Sequence, residues 1–221
     1  MTVRHHLTDE LLLAYAAGSL DEAWSLAVAT HLALCPVCRA REAQFAALGG
    51  ATLEDFAPTS LADDALEACL AAIDTGSAPA AESTPAPSVY DNALPVPLSG
   101  YAVGGLERTR WQSIGGGVQQ AILETGGSAT ARLLRIQPDS KLPHHGHRGT
   151  ELTLVLEGSF HDNENTFSRG DVEIADEEID HAPVAGSDVP CVCLVVTDAP
   201  LLFRNLAPRL AQRFFLSLIH I

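Results

Sequence analysis

Positive charge is what this sequence has least of: 13 Lys and Arg stand against 28 Asp and Glu in 221 residues, a formal net charge of -15. The first 74 residues carry Arg4, Arg39 and Arg41 and no lysine. Phosphate contacts need clustered cations, so direct binding to a nucleic acid is excluded as a working role. A basic protein partner fits the charge, as does acidity that serves only solubility. Aromatic residues are also scarce, at 5%, so any core must be built from Leu, Val, Ile and Ala. No run approaches the roughly 18 apolar residues of a membrane span, and the segment from Met1 to Glu10 lacks an apolar signal region. The expected location is therefore the cytoplasm. Cysteine is present but odd in number: Cys35 and Cys38 form CxxC, Cys191 and Cys193 form CxC, and Cys69 stands alone. That is not the even framework of a small secreted domain, so reduced thiols or metal ligands are expected.

The length suits two modest domains. Thr8 as N-cap, Asp9 and Glu10 in a first turn, an apolar run from Leu11 to Ala17 and Gly18 as stop predict a first helix. Ser19 with Glu22 fits a capping box that opens a second, whose apolar residues continue to Cys35. Pro36 starts a third helix, which the Gly49-Gly50 pair is expected to break. A fourth is expected over residues 61–73, with Leu61, Leu66, Leu70 and Ile73 on one stripe and Cys69 as a core contact. Residues 75–93 are rich in Pro, Ala, Ser and Thr and poor in large apolar side chains, which predicts a linker. Beyond it, short runs at Ala131 to Ile136, Leu152 to Leu156, Val172 to Ala175 and Cys191 to Val196 predict an antiparallel sandwich or barrel. The fold class is thus α plus all-β: a helical bundle with a fourth helix over residues 1–74, a linker over 75–93 and a β-barrel over 94–221.

Two groups of residues carry chemistry. His31, Cys35 and Cys38 form HxxxCxxC, and at about 100° per helical residue their side chains fall within a narrow arc. Thiolate and imidazole are preferred structural ligands of Zn²⁺, which fills four tetrahedral positions. His6 is the best candidate for the fourth, with His5 as the alternative. A redox dithiol is the other reading of CxxC, but that motif sits in a βαβ setting and this context is helical. The segments Leu12-Leu13-Ala14-Tyr15-Ala16-Ala17-Gly18-Ser19-Leu20 and His31-Leu32-Ala33-Leu34-Cys35-Pro36-Val37-Cys38-Arg39 resemble the zinc anti-sigma domain. That resemblance implies a zinc-tied bundle completed by a histidine near the N-terminus, with a separate fourth helix that contacts a sigma factor.

His145, His147 and Glu151 form HxHxxxE, and Gly170 precedes His181 by eleven positions. These spacings resemble the two cupin motifs and imply a 3-His-1-carboxylate metal site. Alternate strand residues share a face, so His145 and His147 point inward together, with Glu151 and His181 arriving from adjoining strands. The sequence departs from the motifs at Asp139, Asp176, Glu178 and Ala185, where turn residues differ. His144 and His161 are expected at the surface. Cys191 and Cys193 would share one strand face, either as small core residues or as a redox pair.

An anti-sigma domain joined to a cupin is the combination of ChrR-type anti-sigma factors. The resemblance implies a stoichiometric inhibitor of an extracytoplasmic-function, RpoE-like sigma factor, with a barrel that senses singlet oxygen or organic hydroperoxides. No catalytic residue is assigned. Zn²⁺ is expected at both sites, although Fe²⁺ or Mn²⁺ also suits a His₃Glu set. The rival reading is a metal-dependent cupin enzyme that uses the helical module to oligomerise.

Overall fold

A computed structural model describes residues 2–75, 94–162 and 164–200 and the backbone of Leu202–Phe203. The expected linker over 75–93 lies outside the described residues except for Thr75, as do residues 163, 201 and 204–221 of the expected barrel domain. Four helices come first: α1 (Asp9–Ala16), α2 (Glu22–Leu34), α3 (Pro36–Glu54) and α4 (Ala65–Asp74). Thr8 caps α1 by accepting from Leu11 N, and Gly18, at φ +65°, turns the chain out of it. The second helix does not open at Ser19. Asp21 is its cap and accepts from Trp24 N, while the Ser19 hydroxyl bonds back to the Ala14 carbonyl. Nor do Gly49 and Gly50 break α3, which runs through them to Glu54. Each glycine costs about 1 kcal/mol in a helix interior, and the flanking Ala46, Ala47, Leu48 and Ala51 favour continuation.

Two single-turn helices, α5 (Val96–Ser99) and α6 (Gly105–Arg108), lead into the β-domain. Its strands are β1 (Gln112–Gly115), β2 (Val118–Leu123), β3 (Thr130–Ile136), β4 (His145–Gly146), β5 (Glu151–Glu157), β6 (Ser159–His161), β7 (Thr166–Ser168), β8 (Val172–Ala175), β9 (Asp180–His181), β10 (Val184–Ala185), β11 (Cys191–Thr197) and β12 (Leu202–Phe203). A six-stranded antiparallel sheet has the order β1-β2-β3-β11-β5-β8, and two three-stranded sheets, β10-β6-β7 and β12-β4-β9, complete the barrel. Asp139, in the place where a cupin motif has glycine, sits at φ +58°. Aspartate is among the few residues that tolerate that region, so the turn survives the change.

The strands β5 and β11 are apolar along their length because both of their faces are covered. Leu152, Leu154, Leu156, Val192, Leu194 and Val196 join a core shared with Ala23, Leu26, Ala27 and Val28 of α2. Val155, Cys191, Cys193 and Val195 instead face Phe160 and Phe167 in a second core. Hence α2 is apolar around most of its circumference: it packs on α1 and α3 and also on α5, β3, β5 and β11. Hydrogen bonds fix that docking. Glu22 accepts from Tyr101 Oη at 2.6 Å and from the Gly126 amide, and Asp21 accepts from Ala129 N at 3.2 Å.

By contrast, α4 buries none of its residues. Cys69 on it is exposed, not a core contact, because the helix has no buried face. No described helix is long and apolar enough to cross a membrane.

Two candidate metal sites

The first site is assembled where three segments meet. His6 precedes α1, His31 lies in the last turn of α2, and Cys35 and Cys38 lie at the cap and first turn of α3. One ligand atom from each lies within 4.8 Å of all the others. His6 Nδ1 is 3.3 Å from Cys35 Sγ and 3.5 Å from Cys38 Sγ. Zn–S bonds of about 2.3 Å and Zn–N bonds of about 2.0–2.1 Å imply tetrahedral edges of about 3.3–3.8 Å, so the donors are spaced for that ion. His31 is fully buried, and its ring nitrogens make no hydrogen bond of normal geometry. Burial lowers its pKa to about 4, only partly offset by the Gly170 carbonyl, so the ring is neutral and able to donate a lone pair at pH 7. Burial also pushes the Cys38 thiol up to about 11. Without a cation the proton stays on; an ion at this position would replace it. His5 is not part of the group: its ring lies against Phe167, centroids 4.4 Å apart.

The second site lies inside the barrel. His145 pairs directly with His181 across β4 and β9, His147 follows β4, and Glu151 opens β5. All four side chains are buried, and one ligand atom from each again lies within 4.8 Å of the others. The three imidazole centroids are 4.8 to 5.4 Å apart. Pro143 O lies 2.8 Å from His145 Nδ1, and a carbonyl only accepts, so Nδ1 carries the proton and Nε2 keeps its lone pair. His147 has both ring nitrogens buried without a hydrogen-bond partner, an arrangement that costs stability unless a cation takes a lone pair. Burial lowers His145 to about 4 and lowers His147 as well, while burial raises Glu151 to about 7. Donors of this kind fit a divalent metal.

The sequence did not mark Glu173. Its carboxylate is 8% exposed and lies 3.2 Å from His181 Nδ1. Burial alone would lower His181, yet the carboxylates around it, Glu173 foremost, together outweigh it and raise the pKa. The signal was an acidic residue in the middle of the apolar run from Val172 to Ala175. Asp162 also reaches this pair, within 4.8 Å. A cavity of about 30 Å³ adjoins the site, lined by His145, Glu151, Thr153, Glu173, Cys193 and apolar side chains. That is room for one or two water-sized molecules. Cys191 and Cys193 are buried, with their sulfurs 3.5 Å apart. His144 is largely exposed beside Asp180, and His161 is exposed.

Comparison with known proteins gives concordant results. Residues 100–200 match the family model of the ChrR cupin-like domain. The chain is 50% identical to the anti-sigma-E factor ChrR of Cereibacter sphaeroides over 216 residues, which is 97% of this chain and 99% of the relative. It also resembles a chain in the crystal structure of Rhodobacter sphaeroides SigE in complex with the anti-sigma ChrR. The TM-score there is 0.78 at 48% identity, covering 89% of this chain and 100% of that one.

Proposed function

The chain belongs to the ChrR family of anti-sigma factors, and from that premise we propose that it sequesters an extracytoplasmic-function sigma factor of the SigE kind and releases it under oxidative stress. It is a regulator that acts by binding, not an enzyme. The observation that carries the proposal is the unpartnered apolar face after the first site. Leu61, Leu66, Leu70 and Ile73 are 53 to 81% exposed, and Leu48, Leu53 and Phe56 extend the same character along the end of α3. An apolar surface of this extent marks a partner site. The acidic first 74 residues suit a basic partner.

In this reading residues 1–74 are the inhibitory module, and the cytoplasm is the place of action, where a sigma factor meets RNA polymerase. His6, His31, Cys35 and Cys38 would hold Zn²⁺, favoured by two thiolates and two imidazoles. His145, His147, Glu151 and His181 would hold a second Zn²⁺. Zinc supplies a cross-link and fixed positive charge, without redox chemistry of its own. The first set ties the start of the chain to α2 and α3. The second lies beside the cavity and Cys193, where singlet oxygen or an organic hydroperoxide would act.

Co-expression of the full chain with a SigE-type sigma factor, followed by size-exclusion chromatography and metal analysis, tests this. One-to-one co-elution with two zinc ions per chain is expected. Separate elution of folded, zinc-loaded proteins would contradict the reading, and one zinc with one iron would reassign the barrel metal.

A further inference from the structure

The two metal sites belong to different domains, but one short segment of the barrel touches both. It begins at Gly170, whose φ of +91° turns the chain between β7 and β8. Val3 and Leu34 of the helical module lie over this glycine, and a Cβ there would meet Val3 Cγ2 at 2.8 Å. The next residue, Asp171, is 2% exposed. One carboxylate oxygen accepts from Arg4 N at 2.6 Å and from His5 N at 3.0 Å, and the other accepts from Ser168 N at 2.9 Å. Val172 N then donates to His5 O at 3.2 Å. The backbone immediately before His6 is thereby pinned to the barrel by three hydrogen bonds, two of them charge-assisted. Two residues further, about 7 Å along an extended chain, Glu173 faces His181 Nδ1 at 3.2 Å.

We propose that Asp171 and Glu173 are positioning residues, one for each metal site, and that the segment between them couples the sites. Glu173, 3.2 Å from His181 Nδ1 though without hydrogen-bond geometry here, would orient the ring so that Nε2 is left for the metal site. A metal held by His145, His147, Glu151 and His181 would make a proton on His181 Nδ1 more positive and strengthen its contact with Glu173, steadying β8. A steadier β8 holds Asp171, and Asp171 holds the strand that presents His6 to Cys35 and Cys38. Metal in the barrel therefore tightens metal in the helical module, and by linkage the reverse holds by the same factor. Asp171 lies more than 130 residues from the first ligand set in sequence, and the motif spacings assign it no role. This inference rests on both tetrads binding metal.

Cobalt(II) separates the sites in the full chain, because thiolate-to-cobalt absorption arises only where cysteines bind. Metal content is measured first; fewer than two ions per chain would overturn the metal reading itself. With two bound, the cobalt affinity of the Cys35/Cys38 site is measured by chelator competition in the wild type and in His147→Ala, Asp171→Ala, and the double variant. The expected result is a loss of about fivefold or more on His147→Ala in the wild-type background. In the Asp171→Ala background the same change should have no further effect. Asp171→Asn, which keeps an acceptor oxygen, should restore most of the coupling, which a merely structural role would not require. If Asp171→Ala does not fold, Glu173→Ala carries the test, and it should reproduce the loss caused by His147→Ala. Equal effects of His147→Ala with and without Asp171, or wild-type affinity in Glu173→Ala, would overturn the coupling. A structural zinc site is tight enough to stay filled after a fivefold loss, so inhibition should survive these substitutions.

Discussion

Glu22 shows how much one side chain contributes to the joint between the domains. Its carboxylate accepts from Tyr101 and from the Gly126 amide, and these bonds hold its pKa below the ordinary carboxylate value. A group with a depressed folded pKa stabilises the fold above its unfolded pKa and loses that contribution as pH falls through the folded value. Glu22→Gln should therefore lower the thermal midpoint of the full chain at pH 7. The gap to wild type should close as pH falls below about 4.5, the ordinary glutamate value. A gap unchanged between pH 7 and pH 3.5 would show that ionisation of Glu22 does not matter to the joint. In the sequence Glu22 reads as half of a capping box, because its true partners lie 79 and 104 residues away. Distance in sequence also hid Asp171, whose partners Arg4 and His5 lie 167 and 166 residues away. The ligands were legible where spacing is local: HxxxCxxC spans one helix end, and HxHxxxE spans one strand and turn. His6 was reached only by filling the vacancy that three ligands leave, with His5 as the alternative, since no periodicity links either to Cys35.

At the scale of elements, strand positions were legible because β3, β5, β8 and β11 are short runs rich in Leu, Val, Ile and Ala bounded by turn residues. The cause of that richness was not: α2 covers the outer face of the sheet, and a sequence does not show what covers a strand. Helix ends were less legible, as local glycine and serine signals at 49–50 and 19 yielded to strong helix formers and to Asp21. The helical stripe expected over 61–73 forms only from Ala65, leaving Leu61 ahead of α4, and its Cys69 is exposed instead of a core contact, because periodicity alone does not tell a core from a docking face. That face supplies a second expectation. Leu70→Asp on exposed α4 should leave the thermal midpoint of the free chain within about 2 °C, since surface changes rarely exceed about 0.5 kcal/mol. It should weaken sigma-factor binding by about 30-fold or more, as loss of an apolar anchor costs about 2 kcal/mol. Calorimetric titration measures both the affinity and the stoichiometry. Unchanged affinity would remove α4 from the interface.

Across the whole molecule, bundle and barrel share one core through α2, so inhibition and response are separable in role but joined in structure. Residues 1–75 contain the first metal set and α4, and the isolated fragment is expected to bind the sigma factor. It would also expose the part of α2 that packs on β3, β5 and β11. Its thermal midpoint should therefore lie below that of the full chain, even when loaded with zinc. A fragment that is folded and zinc-loaded yet shows no association by calorimetry would contradict the assignment of inhibition to this module.

The central claim is that the two metal sites have different tasks, and it is tested most directly by transcription from a promoter dependent on the sigma factor. Full chains of the wild type, Cys38→Ala and His147→Ala are compared in cells with and without singlet oxygen generated by a photosensitiser. The wild type should be silent at rest and active under the oxidant. Cys38→Ala removes a ligand from a bundle whose folding is linked to metal, so transcription should be high in both conditions. His147→Ala leaves the bundle intact, so transcription should be low in both, with circular dichroism confirming that the barrel remains folded. High resting transcription in a folded His147→Ala chain, or continued silence in Cys38→Ala, would contradict the account.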